Sequence, residues 1–201
     1  MSIRMNRKLK MNILRLAAGC GVIAAATFLA AGSDTPQVQA QATQEEQAHA
    51  AHGLSAPAKL VQAVRDATRQ YSDVKAATAA GYQPFLGCVS GPDHGAMGVH
   101  YVNGTLVGDG EIDAAHPEAL IYEPGENGAM ELVGVEYIVD MAAWLAKHST
   151  PPVLEGQTFQ LVGSPNRYGL APFFELHVWA WRHNPNGAFV DWNTHVTCEG
   201  Q

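Results

Sequence analysis

Cysteine and positive charge are both scarce in this chain. Its 201 residues hold three cysteines, and 12 lysines and arginines stand against 19 aspartates and glutamates. The acidic excess excludes nucleic acid as a natural partner, because phosphate binding needs clustered basic side chains. The cysteines lack the close CxxC spacing of structural zinc sites. A glycine-rich dinucleotide fingerprint, a phosphate-binding loop, a GxSxG elbow and an HExxH pair are all missing. So are internal repeats. No serine lies in a recognisable nucleophile turn, so Ser-His-Asp chemistry has no support.

The first forty residues have the layout of a leader. "MSIRMNRKLKMNILR" carries five basic residues and no acid, and an apolar run of 17 residues, "LAAGCGVIAAATFLAAG", follows. Small residues in "QVQAQA" suit cleavage after Ala40. The alternatives are an uncleaved anchor, for which the run is slightly short, and a lipoprotein through Cys20, which no hydrophobic segment precedes. Cleavage predicts a periplasmic or secreted protein with no stable membrane insertion. The remaining 161 residues carry seven basic and 18 acidic side chains, a net charge of −11 with histidine neutral. That charge tolerates cationic ligands, metal ions included. Cys88 and Cys198 remain, and an oxidising compartment makes a bridge the expected state. Closing a loop of about 110 residues is worth ~4 kcal/mol in the chain-entropy account. The alternative is a pair of thiolate metal ligands.

Residues 41–56 are polar and Ala-rich, which predicts a flexible mature N-terminus. From 57 to 201 the pattern predicts a single α+β domain: an N-terminal helix, then a largely antiparallel sheet or partial barrel. Pro57 opens the helix, with Leu60, Val61, Val64, Ala67 and Tyr71 at helical spacing. Gly87 to Gly98 is so rich in glycine, proline and serine that it reads as a long shaped loop. "EALIYEP" and "AMELVGVEYIV" read as a hairpin, "DMAAWLAKHST" as a short helix with Asp140 at its N-cap, and "FFELHVWAW" as the strongest strand.

Alternation along "MELVGVEYIVD" groups Met130, Leu132, Gly134, Glu136 and Ile138 on one face. Both faces are mainly apolar, so Glu136 is expected to be buried, and a buried carboxylate must be paired, protonated or metal-bound. In "FFELHVWAW", alternation groups Phe173, Glu175, His177, Trp179 and Trp181. His100, in the glycine-flanked "GAMGVHYVN", is the third candidate. His100, Glu136 and His177 make a two-histidine, one-carboxylate set of the kind that binds zinc, copper or iron. Glu175 is a further ligand or an orienter of an imidazole. Glu136 and Glu175 are the candidate proton-moving residues, and Tyr101, Tyr137 and Trp179 the candidate pocket walls. The plainer readings are core histidines hydrogen-bonded to a carboxylate, and a loop-surface His94.

At "GCVSGPDHGAMGVHYVN", "PEALIYEP", "LVGVEYIV" and "FELHVWAWRHNPNGAFVDWN" the chain resembles a family of secreted bacterial proteins of unassigned function, over about residues 58–198. The resemblance implies an exported single domain and points to the same polar residues. It supplies no reaction. The expectation is therefore a His/Glu-lined pocket for a divalent metal ion; whether it is an enzyme is left open, and if it is one the chemistry is metal-dependent. The alternatives are a non-metal module holding a small molecule against aromatic walls, and a structural envelope protein.

Overall fold

The computed structural model describes residues 56–91 and 93–201. The expected leader, and all but the last residue of the expected flexible segment, lie outside them. The elements are α1 (Ala56–Thr68), a 3-10 turn (Arg69–Ser72), α2 (Val74–Ala79), β1 (Gln83–Gly91), β2 (Gly95–Val102), α3 (Gly104–Asp109), β3 (Ala119–Pro124), β4 (Met130–Asp140), α4 (Met141–Leu145), β5 (Val153–Leu154), β6 (Gln157–Thr158), β7 (Gln160–Val162) and β8 (Phe173–Val178). Six strands form one curled antiparallel sheet in the order β1-β2-β3-β4-β8-β7, and β5 and β6 pair separately. The class is α+β.

Each sheet face carries its own core. On one face Leu120, Tyr122, Val135, Tyr137, Val139, Phe174 and Leu176 pack with Leu60 and Val64 of α1. Burying each of those two α1 side chains is worth about 1.5–3 kcal/mol. Trp181 Nε1 donates to Thr68 Oγ1 at 3.0 Å and so closes the contact between the helix and the end of β8. On the other face a smaller cluster joins Ala96, Ile121, Val133, Trp179 and Val196. The C-terminal segment covers this face. It is held by the Cys88–Cys198 bridge (Cα–Cα 5.7 Å) and by Ala96 and Asn193, whose backbones exchange hydrogen bonds at 3.1 Å.

Sequence and structure differ in three places. Gly87–Gly98 is not a long loop. It is the tip of the β1–β2 hairpin, with register irregularities between Phe85 and Ser90. Its glycines serve packing rather than looseness: Gly98 has φ 93°, and a Cβ there would stand 2.6 Å from the Tyr122 carbonyl oxygen. Second, the register of β4 shifts between Ile121 and Tyr122, so that Ile121 faces Gly134 and Tyr122 faces Leu132. The extra residue flips the alternation. Leu132 joins the α1-side core and Val133 the other. Third, β8 ends at Val178, and a tight turn with Ala180 N–H donating to Val178 O at 2.9 Å sends Trp181 to the α1 side, away from Trp179. The Asp140 cap is where the sequence places it, its carboxylate accepting from Ala143 N–H at 2.7 Å.

Candidate metal centre

Strand register assembles the site. Val102, Ala119, Glu136 and His177 form one row across β2, β3, β4 and β8. His100, Ile121 and Gly134 form the next row on one side, and Ile138 with Glu175 the next on the other. Residues two apart along a strand share a face, so His100, Glu136, Glu175 and His177 converge on the face opposite α1. His100 and Glu136 are two strands apart, about 10 Å at the usual strand spacing. The two side chains lean towards one another across β3, where Ala119 is the partner of Glu136 and Ile121 that of His100, and His100 Nε2 comes within 3.3 Å of Glu136 Oε2.

The site is dry. His177 is fully buried, and His100, Glu136 and Glu175 are nearly so. The imidazoles of His100 and His177 meet edge to face, centroids 5.7 Å apart, and Trp179 stacks on His177 at 6.2 Å. Burial, and then the neighbouring His177, lower the His100 pKa to about 3. Burial alone lowers His177 to about 4. Both rings are therefore neutral at ordinary pH, with a nitrogen lone pair free. The carboxyls move the other way. Burial and the adjacent Glu175 raise Glu136 well above the usual carboxylate range, and burial raises Glu175 to about 7. A cation in their midst would reverse both shifts.

Ligand atoms from His100, Glu136 and His177 lie within 4.8 Å of one another, and so do those from Glu175, His177 and Asp191. Sequence reasoning missed Asp191. It lies beyond the last strand, where no periodicity marks it, and the clue was only its place in the aromatic-rich "FVDWN". Its Oδ1 is 3.7 Å from His177 Nδ1, too far for a hydrogen bond, and it accepts instead from Gln160 Nε2 at 2.8 Å. Both ring nitrogens of His177 and Oε2 of Glu175 are buried without a hydrogen-bond partner among the described residues.

The predicted pocket walls are mostly elsewhere. Tyr101 and Tyr137 stand on the α1 face: Tyr101 packs edge-on against Tyr122, and Tyr137 donates to the Ala114 carbonyl at 2.8 Å. Each follows a site residue by one position, His100 and Glu136, and alternation points it away. Trp179 does touch the site, but its indole N–H is spent on Val190 O at 2.6 Å. The cleft that reaches His100 and Glu136 is walled instead by Phe85, Leu86, Tyr168, Leu170 and Phe173. His94 is exposed, as a loop-surface residue would be.

The chain matches no family model, no curated protein and no solved structure. What the site can do rests on its own chemistry: two neutral imidazoles and two or three carboxylates, converging in a buried space, with three polar atoms unanswered among the described residues.

Proposed function

We propose that this protein binds one divalent metal ion through His100, Glu136 and His177, with Glu175 as a further ligand and Asp191 orienting His177. Zinc, iron and copper suit imidazole and carboxylate donors. The single observation that carries the reading is His177, fully buried with both ring nitrogens unpartnered. A buried polar atom without a partner costs about 1–3 kcal/mol, and a metal bond would remove that cost. The cleft leaves His100 and Glu136 accessible to a small molecule, so the ion can polarise a bound substrate or activate a water, with Glu136 or Glu175 moving the proton. The Cys88–Cys198 bridge, and the lack among the described residues of any helix long and apolar enough to cross a membrane, support an exported, periplasmic or secreted location.

The test is metal content by mass spectrometry on untagged protein from the periplasm, beside a His100→Ala/His177→Ala double variant. One metal per chain in the parent and none in the variant is the expected result. Parent protein that is metal-free and does not take up added zinc, copper or iron would overturn it. The polar cluster would then be a structural network beneath a non-metal binding cleft, a reading that the apolar walls of Phe85 and Phe173 favour.

A further inference from the structure

The cleft above His100 has a chemical character of its own. Its volume is about 40 Å³, room for a few water-sized groups, and it opens outward to solvent. Its walls are apolar, its floor is His100 and Glu136, and no lysine or arginine lines it. Three large apolar side chains at the mouth stay exposed: Phe85 at 36 %, Leu86 at 55 % and Leu170 at 42 %. Scattered exposed leucines need no explanation, but three around one opening do.

Leu86 is the telling residue. It sits in β1 with φ 59°, in the left-handed region that a bulky side chain avoids and glycine accepts. The register of the β1–β2 pair slips across it, between Phe85 and Val89. Such a bulge re-aims side chains, and here it aims Leu86 at the cleft. The opposite wall is built with equal care. Asn166 accepts from the Tyr168 and Leu170 amides at 3.2 and 3.1 Å and donates to the Leu170 carbonyl at 3.0 Å, which fixes the loop that presents both residues.

Charge narrows the occupant. Glu136, Glu175 and Asp191 are the acidic groups of the site, and no lysine or arginine lines the cleft beside them. An anionic ligand is disfavoured, and no side chain in the cleft would pair with it.

We infer that the cleft takes a small uncharged molecule with a short hydrocarbon body and one neutral oxygen function, a carbonyl or hydroxyl, seated oxygen-first on the His100–Glu136 floor. The inference rests on the metal reading only for the atom that the oxygen meets. The matched probes are butanamide and butanoate, alike in shape and different in charge. Methyl NMR shifts of Val102, Ile138 and Leu170 are followed in the full chain, with and without zinc. Saturable shifts with butanamide, at least tenfold tighter than with butanoate, are expected in both forms. Leu86→Asp should abolish them and leave zinc content unchanged. Leu86→Gly should weaken binding while melting no lower than the parent, since it relieves the backbone. Butanoate binding as tightly as butanamide, or Leu86→Asp binding unchanged, would overturn the inference. Butanamide binding to a protein that takes up no zinc would overturn the metal reading and leave this one standing.

Discussion

The two faces of the sheet bury polar groups to opposite ends. On the α1 face each buried phenol is answered: Tyr82 donates to Pro117 O at 2.8 Å, Tyr122 to Tyr71 O at 2.6 Å and Tyr137 to Ala114 O at 2.8 Å. Buried Glu118 accepts from Ile138 N–H at 3.0 Å. On the other face His177 and Glu175 leave three polar atoms unanswered. Polar groups kept for stability come with partners. On the proposed metal reading, the unanswered atoms are the ones the ion would take, and the fold bears their cost in its absence.

The largest test of this contrast uses the disulfide. Its loop spans 110 residues, and Cys88→Ser/Cys198→Ser should cost ~4 kcal/mol in urea denaturation. Because the bridge pins the segment covering the site face, amide exchange should accelerate first around Trp179 and Val196. Equal acceleration beneath α1 would break the contrast. Next comes a pair of substitutions that each delete polar atoms. In metal-free protein His177→Leu should raise stability by about 1–3 kcal/mol, since it removes unanswered polar atoms, while Tyr137→Phe should lower it by about 1 kcal/mol. Calorimetric melting gives both signs, and the same sign for both would undo the argument.

Asp191→Asn sharpens the comparison within the site. An orienting partner of an imidazole ligand is worth about 10–100-fold in metal affinity. Zinc titration should show a loss of that size with stoichiometry unchanged, and a loss of the whole site would make Asp191 a ligand in its own right. The last test concerns Glu118, whose effect is spread over several pH units. Burial raises its pKa from 4.5 to about 8, against the Ile138 amide and with Asp109 and Asp113 adding to the rise. Between those values the unfolded chain gives up the proton and the folded chain keeps it. Stability should therefore fall as pH rises through that window, by up to about 1.4 kcal/mol per pH unit, and level off above it. Glu118→Gln should reduce that slope, with Glu136 and Glu175 still contributing theirs, and a slope unchanged in the variant would move its origin to those groups.

Much of the site was legible because strands carry their side chains with a period of two. His177 and Glu175 fall on one face by counting, and Glu136 sits mid-strand among apolar neighbours. Cysteine pairing needed only the number left after the expected leader and a view of the compartment. Where counting failed, the backbone had broken its own period. The bulge in β4 moved Leu132 to the other core, and the turn after Val178 moved Trp181. Glycines that pack β2 against β3 at Gly98 look, in sequence, like glycines of a loop. Asp191 arrives on a segment without strand or helix, and nothing local to "FVDWN" says which face that segment covers.

His100, Glu136, Glu175, His177 and Asp191 all fall between Cys88 and Cys198. The bridge therefore encloses them in one covalent ring. A protease that cuts a single exposed turn within that ring, such as Glu126–Gly128, opens it into two pieces still joined through sulfur. All five side chains stay on the same molecule, so one nick outside the sheet leaves the cluster whole.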